Sequence, residues 1–300
     1  MTETTTRCGF VALLGAPNAG KSTLLNALVG QKISIVTQKV QTTRTRIRGI
    51  AIEGDAQLVY VDTPGIFTPK RRLDRAMVAA AWGGASDADV VCLLIDAKKR
   101  VDAEAQHVID GLKEGGRKAV LILTKVDLVR RESLLSLADE LNQTGLFSDI
   151  FMISAVNGDG IEQLKTHFAQ KAPLGPWLYP EDQLSDIPMR LMGAEITREK
   201  LFLRVHQELP YAATVETEQW DERKDGSVAI HQVIFVERDS QKPIVIGKGG
   251  RTIKEIGEAA RRELEEIMSR KVHLFLNVKV RKGWGDERER YREMGLDFSD

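Results

Sequence analysis

The sequence predicts two domains of different class: a mainly parallel α/β sheet with helices on both faces, followed by a small α+β domain. Three observations lead there. A chain of 300 residues exceeds the usual size of one compact core. Through about residue 170, short apolar runs alternate with amphipathic segments, the rhythm of strands joined by crossover helices. The stretch APLGPWLYPEDQLSDIP, residues 172–188, then carries four prolines, which remove backbone donors and bias each preceding residue toward extended conformations.

Composition narrows the class. With 42% apolar and 29% charged residues the chain reads as an ordinary globular protein, and neither disorder nor a fibrous repeat is favoured. The formal net charge is zero, so any nucleic-acid site must show itself in local clusters of basic residues. Cys8 and Cys92 are too few and too isolated for a disulfide framework or a zinc site, which fits a reducing cytosolic compartment. Cys92, inside VVCLLID, reads as core. The start MTETTTRCGF has no basic head followed by an apolar run, and no segment approaches the ~18 to 20 apolar residues that span a bilayer. The expectation is a cytoplasmic chain, neither secreted nor membrane-spanning.

The elements follow in order. FVALLG, QLVYVD, VVCLLID, KAVLILT and IFMISA read as strands of the first domain, residues 1–172, and ligands of such sheets bind at the carboxyl ends of the strands. Residues 173–195 read as a linker and 196–300 as the second domain with a C-terminal tail. There a helix over 197–208 precedes two strands, AATVETEQW and SVAIHQVIFVER, joined by an Asp225-Gly226 turn. A glycine loop, a long helix to about Arg270 and the alternating strand KVHLFLNVKV complete it.

Chemistry enters with GAPNAGKST, Gly15, Ala16, Pro17, Asn18, Ala19, Gly20, Lys21, Ser22 and Thr23, between a strand and a helix. It fits G-x-x-x-x-G-K-[ST], whose backbone N–H groups converge on phosphates while the helix N-terminus adds partial positive charge. Lys21 is expected against the β- and γ-phosphates as an electrostatic catalyst, and the Ser22 hydroxyl on Mg²⁺. VYVDTPGI ends a strand at Asp62, suited to hold Mg²⁺ through a water, and continues through Thr63, Pro64, Gly65 and Ile66; the Gly65 N–H can turn toward a γ-phosphate. LILTKVD places Asp127 where its carboxylate can accept two hydrogen bonds from guanine, a donor pair adenine lacks. Ser154 and Ala155 would add backbone contacts to the base.

Taken in order, G15-x4-GKS22, D62TPG65, T124KVD127 and S154A155 resemble the translation-factor class of GTPases, with GTP or GDP and Mg²⁺ as the implied ligands. One departure is plain: Thr124 stands where the N-K-x-D motif, here completed by Lys125 and Asp127, carries Asn. A threonine cannot reproduce both amide functions, which puts nucleotide affinity or loop stability at issue while leaving guanine selection with Asp127. KVQTTRTRIRG looks like switch I, with Thr43 as the Mg²⁺-coordinating threonine and Thr42 as the near alternative. Lys39, Arg44, Arg46 and Arg48 crowd this stretch, and a solvated basic face is the plain alternative to a function for them. Where Ras-like enzymes orient the attacking water with glutamine, this chain has Ile66, so slow unaided hydrolysis and no general base are expected. Asn18 resembles the asparagine through which some relatives recruit K⁺; the alternative is that it only shapes the loop.

A second glycine loop, VIGKGGRTI, fits the K-homology pattern, with Ile246, Gly247, Lys248, Gly249, Gly250, Arg251 and Lys254 as candidate RNA contacts. No Ser or Thr directly follows Lys248, which argues against a second nucleotide site. Lys242, Lys248, Arg251 and Lys254 meet no acid between 242 and 254, nor do Arg270, Lys271, Lys279, Arg281 and Lys282 between 270 and 282, two basic strips fit for phosphate. Ile244, Ile246, Ile253 and Ile256 could floor a groove for bases, or pack the core, the reading favoured for the last two. A P-loop GTPase domain followed by a type II KH domain resembles the Era family of bacterial GTPases over nearly all of the chain. That resemblance implies binding at the 3′ end of 16S ribosomal RNA, a role in small (30S) ribosomal subunit assembly, peripheral contact with the inner membrane, no DNA partner and a monomer. A different reading makes the basic C-terminal module a dock for protein or anionic membrane. His107, His167, His206, His231 and His273 lack ligand spacing, and Trp82, Trp177 and Trp220 read as packing; Trp284, after a basic strip, is a candidate RNA contact before a solvated terminal helix.

Overall fold

Strands with no polar face must be covered on both sides, and the apolar runs of the first 170 residues form such strands. In the computed structural model, which describes residues 6–39, 41–205 and 209–298, they are β1 (Arg7–Gly15), β2 (Ile47–Glu53), β3 (Ala56–Asp62), β4 (Val90–Asp96), β5 (Ala119–Thr124) and β6 (Phe147–Met152). Their order is β2-β3-β1-β4-β5-β6, parallel throughout except for the antiparallel β2–β3 pair. β2 is absent from the five apolar runs because IRGIAIE carries Arg48 and reads as the end of the switch stretch. It stands at the sheet edge, where Arg48 pairs with Asp186 at 2.9 Å.

Five helices alternate with these strands: α1 (Lys21–Val29), α2 (Arg72–Ser86), α3 (Ala103–Glu114), α4 (Arg131–Asn142) and α5 (Ile161–Lys171). Ala81, Val108, Ile109, Leu137 and Leu141 pack with Leu93, Ile95, Leu121 and Leu123 in one buried cluster. Leu24, Leu25 and Leu28 of α1 and Phe168 of α5 are buried as well.

Contacts divide the chain into two units, Met1–Ser34 with Thr43–Asp186 and Tyr291–Asp300, and Ile35–Thr42 with Ile187–Arg290. Residues 173–186 therefore belong to the first unit. Their prolines keep them out of a helix, and three of their backbone atoms bond to the first unit's strands or the residue before them: Cys8 N–H to Pro173 O at 3.1 Å, Gly175 N–H to Thr6 O at 3.0 Å and Ile50 N–H to Leu184 O at 2.9 Å. The linker expected over 173–195 is further shortened because α6 (Met189–Arg204) starts directly after Pro188, a residue suited to a helix start. The expected helix end at 208 and His206 lie outside the described residues.

The second unit adds β7 (Ala213–Glu222), β8 (Val228–Val236), α7 (Lys242–Ile246), α8 (Arg251–Met268), β9 (Val272–Val280) and the start of α9 (Arg288–Glu293). Its sheet order is β7-β8-β9, with β7–β8 antiparallel and β8–β9 parallel. Leu201, Ile234, Val236, Ile256 and Val278 share one core cluster. Two expectations for its end are corrected. Trp284 is buried, its indole N–H donating to Ala212 O at 3.1 Å, so it does not face RNA. The terminal helix is solvated on one side only: Arg288, Glu289 and Arg292 are exposed, while Arg290, which stacks over Phe235 and pairs with Glu216 and Glu287, and Tyr291 are buried. Among the described residues no helix is long and apolar enough to cross a membrane.

Candidate functional site

β1 delivers GAPNAG to the start of α1, and the bend requires backbone that side chains disfavour. Gly15 has φ 152° and Gly20 φ 95°, and a Cβ on Gly15 would lie 2.7 Å from Leu94 O. Lys21 is buried, and its ammonium donates to Gly15 O and Ala16 O at 3.0 Å each. Burial lowers its pKa from 10.5 to about 8, against the pull of the Asp62 carboxylate. A buried cation whose hydrogen bonds among the described residues go to loop carbonyls is poised for an anion in the loop.

Asp62, at the end of β3, collects three hydroxyls on Oδ2: Ser22 at 2.7 Å, Ser34 at 2.9 Å and Thr43 at 3.2 Å. Ser22 Oγ and Thr43 Oγ1 are 2.9 Å apart. Burial raises the Asp62 pKa, while Lys21 and the three hydroxyls pull it down. Its Oδ1 is buried without a hydrogen-bond partner among the described residues. An orphaned carboxylate oxygen beside two clustered hydroxyls fits a hard divalent cation, which takes oxygen ligands. Thr42 turns elsewhere: its hydroxyl donates to Lys39 O at 2.6 Å and lies 2.6 Å from Thr37 Oγ1.

Beyond Asp62, the Thr63 hydroxyl donates to Leu13 O at 2.7 Å, and Pro64 leads to Gly65, where a Cβ would come within 3.0 Å of Pro17 N. Ile66 is fully buried in the core cluster and its N–H donates to Gly15 O at 3.1 Å, so the residue after the D-x-x-G motif packs and cannot order water. The basic residues of switch I divide: Arg46 and Arg48 are exposed, Lys39 is half-buried, and each of the three has a bonded partner. Arg44 is buried, Arg46 Nε donates to Ala80 O at 2.8 Å, Arg48 pairs with Asp186, and Lys39 donates to Val205 O.

The expected base site lies at the ends of β5 and β6. Thr124 is buried and donates to Ala19 O at 2.8 Å, so the threonine supplies a tether to the phosphate loop. Lys125, at φ 58°, donates to Asn18 O at 2.8 Å and to Asp96 at 2.6 Å. Val126 N–H reaches Ile153 O at 3.3 Å, which brings the exposed Asp127 beside the turn at Ser154 and Ala155; that turn is closed by Gly158 N–H to Ser154 O at 2.8 Å. Sequence reasoning missed Ser34 and Asp96. Asp96 had a signal, since it closes VVCLLID at the carboxyl edge of the sheet; Ser34 had none.

At the second loop Gly247, Gly249 and Gly250 all have positive φ, 76°, 61° and 77°. A Cβ on Gly247 would strike Thr252 Oγ1 at 2.2 Å, whereas Gly249 and Gly250 face open space. Lys248 in the loop, and Arg251 and Lys254 in the first turn of the 18-residue α8, are exposed, and that turn carries no acid. Ile244 is exposed, Ile246 and Ile253 are partly buried against the core, and Ile256 is wholly inside it. The basic strips are less free than their sequence implied: Arg251 pairs with Glu255, Arg270 with Glu222, Lys279 with Glu218 and Arg281 with Glu287.

Comparison with known proteins matches both parts. Residues 10–125 match the family described as 50S ribosome-binding GTPase, and 208–285 match the KH domain. The chain is 64% identical to GTPase Era of Rhizobium meliloti (strain 1021), over 98% of this chain and 94% of that protein. It is 63% identical to GTPase Era of Brucella suis biovar 1 (strain 1330), over 98% and 95%. Era in complex with MgGDPNP and nucleotides 1506–1542 of 16S ribosomal RNA is 36% identical with a TM-score of 0.91, covering 97% of this chain and 99% of that one. An Aquifex aeolicus Era variant bound to GDP and AlF4⁻ gives the same values. With the GTPase sheet, the KH module and near-complete coverage in agreement, the chain belongs to the Era family of GTPases.

Proposed function

We propose that this GTPase uses a guanine-nucleotide cycle to control its grip on the 3′ end of 16S ribosomal RNA during assembly of the small ribosomal subunit. The observation that carries the reading is the pairing, in one chain, of an enclosed phosphate loop around Lys21 with an open G-x-x-G loop at 247–250. The relative holding MgGDPNP and nucleotides 1506–1542 of 16S RNA supports it. The family description naming the 50S subunit rests on residues 10–125 alone, the part shared with GTPases of other partners, and so carries less weight for the RNA.

In this reading the loop Gly15–Thr23 cradles the phosphates, Asp127 selects guanine and Ser154-Ala155 flank the base. Ser22, Thr43 and, through a water, Asp62 hold Mg²⁺, which neutralises developing phosphate charge when bound. Lys21 contributes the fixed positive charge of the loop. With Ile66 in the core and no general base, hydrolysis is slow until a further positive charge arrives, and Asn18 is the residue through which K⁺ would supply it. In the KH module Lys248, Arg251 and Lys254 meet phosphates, Gly249 and Gly250 let the RNA backbone approach, and Ile244 with Ile246 offers apolar ground to bases.

The test is binding of a 16S 3′-end oligoribonucleotide to the protein loaded with GDP or with a non-hydrolysable GTP analogue. Tighter binding in the analogue state, lost on Lys248→Asp with Gly249→Asp, is expected. A protein that ignores the oligomer in both states, or binds a scrambled one equally, refutes the RNA role, and retention on anionic vesicles instead would favour membrane docking.

A further inference from the structure

We propose that Arg198 is a positioning residue for the hydrolytic site, holding the main chain of residues 41–42 so that Thr43 is presented to the magnesium position. This rests on the reading of Thr43 as a metal ligand. The starting observation is a split within switch I: Ile35–Thr42 belongs to the same unit as α6, while Thr43 begins the next part of the other unit. Thr43, the next residue in the chain, has its hydroxyl 2.9 Å from Ser22 Oγ.

The fastening is made by charged side chains that a helix packed only by apolar contact would not carry. Arg198 and Glu199 are 1% and 3% exposed. Glu195 neutralises Arg198, with Nε to Oε1 at 2.8 Å and a second bond from Nη2. Two further guanidinium donors go to main-chain oxygens, Nη1 to Gln41 O at 3.3 Å and Nη2 to Thr42 O. Glu199 Oε1 accepts the Val36 N–H at 2.8 Å, and Lys39 donates to Val205 O at the end of α6. A buried ion pair costs desolvation that its own attraction only partly offsets, so its surplus bonds mark what the pair is there to hold.

Among its described residues the held segment is strained at Gln41 and bonded among Thr37, Lys39 and Thr42. Gln41 sits at φ 59°, a left-handed backbone that costs a residue with a side chain on the order of 1 kcal/mol. Lys39 N–H donates to Thr37 Oγ1 at 3.1 Å, Thr37 Oγ1 lies 2.6 Å from Thr42 Oγ1, and Thr42 returns to Lys39 O. This ring of bonds turns the hydroxyl of residue 42 into the loop and leaves that of residue 43 for the site. Switch threonines are ordered by γ-phosphate and Mg²⁺ and released with GDP, so the Arg198 grip should matter for the triphosphate state alone.

The decisive experiment is Arg198→Met combined with Glu195→Gln, which removes the carbonyl donors without stranding a buried charge, alongside Arg198→Lys, which keeps a partner for Glu195. For the double variant, the Mg²⁺ needed for half-maximal GTP hydrolysis should rise roughly tenfold and affinity for a GTP analogue should fall by a similar factor, with GDP affinity within about twofold. Arg198→Lys should fall between. In a Thr43→Ala background the double variant should add nothing. Equal losses for GDP and GTP would mark Arg198 as packing only; no loss in either, while Thr43→Ala still raises the Mg²⁺ requirement, would overturn the proposal and leave the metal reading standing. A Thr43→Ala variant with unaltered Mg²⁺ dependence would overturn both.

Discussion

Thr124→Val is the most direct probe of the site's departure from the N-K-x-D pattern. Valine keeps the shape of threonine and replaces one hydroxyl by a methyl. The hydroxyl donates to Ala19 O at 2.8 Å, and both residues are 3% exposed, so water is poorly placed to replace it. Leaving a buried acceptor unpaired costs about 1–3 kcal/mol. If that cost falls on the nucleotide-binding conformation of the loop, affinity drops by about 5- to 150-fold. Because Ala19 tethers the loop apex and not the γ-phosphate end, GDP and a GTP analogue should weaken together, with turnover at saturating GTP nearly unchanged. Fluorescent-nucleotide titration reads both affinities, and Thr124→Ser, which retains the hydroxyl, should stay within about threefold of the parent. A stable Val variant that binds nucleotide as the parent does, or a Ser variant as weak as Val, would refute the tether.

Three further outcomes are expected. If the exposed Asp127 carboxylate accepts from the base as proposed, Asp127→Asn should exchange guanine for xanthine preference; competition of XTP against GTP should shift by at least ~100-fold, and unchanged preference would remove Asp127 from the base site. Lys248→Ala, at the exposed tip of the second loop, should weaken single-stranded RNA binding at every sequence and reduce the slope of log K against log salt by about 0.7; a sequence-dependent loss with unaltered slope contradicts a phosphate contact. His167 is packed edge-on to Phe151 at 4.9 Å, and burial lowers its pKa below 6.5, with Lys171 acting the same way and Asp149 opposing. The unfolded chain then takes up the proton first, so this contribution to stability is whole above pH 6.5 and fades as pH falls through the window below it, by at most ~1.4 kcal/mol per pH unit. Urea midpoints at pH 7, 6 and 5 should fall less for His167→Gln than for the parent, and parallel curves would exclude the effect.

How much of this was legible in the sequence depends on whether a residue's job is local. Gly15, Gly20 and Lys21 are recognisable because strand, turn and helix start lie within a dozen residues, and each glycine answers a backbone need of that turn. Asp62 is recognisable by its place at the end of an apolar strand. Thr124 could be flagged as a departure, but its bond to a carbonyl 105 residues away could not be foreseen. Ser34 and Arg198 fail for the same reason, since nothing near either residue in the chain hints at Asp62 or at the carbonyls of 41 and 42. The basic strips misled in the opposite direction. They contain no acids along the chain, yet neighbouring strands and turns bring Glu218, Glu222 and Glu287 to Lys279, Arg270 and Arg281.

The two glycine loops then differ in a way their shared composition conceals. At the first, side chains are excluded by protein: Gly15 approaches Leu94 O, Gly20 faces Thr124, and Gly65 abuts Pro17, while the buried Lys21 is held by the loop's own carbonyls. Enclosure of that kind suits a ligand taken up whole, because a desolvated cation gains most from a small anion that replaces all of its lost hydration. At the second loop only Gly247 is crowded, by Thr252 of the helix it introduces, and Gly249 and Gly250 open onto solvent beside the exposed Lys248. An open loop of bare backbone at a helix N-terminus can meet a chain that enters on one side and leaves on the other. A pocket cannot admit a polymer, and an exposed interhelical loop cannot select among free nucleotides. The division between a nucleotide site and a strand site follows from which glycines are walled in and which are not.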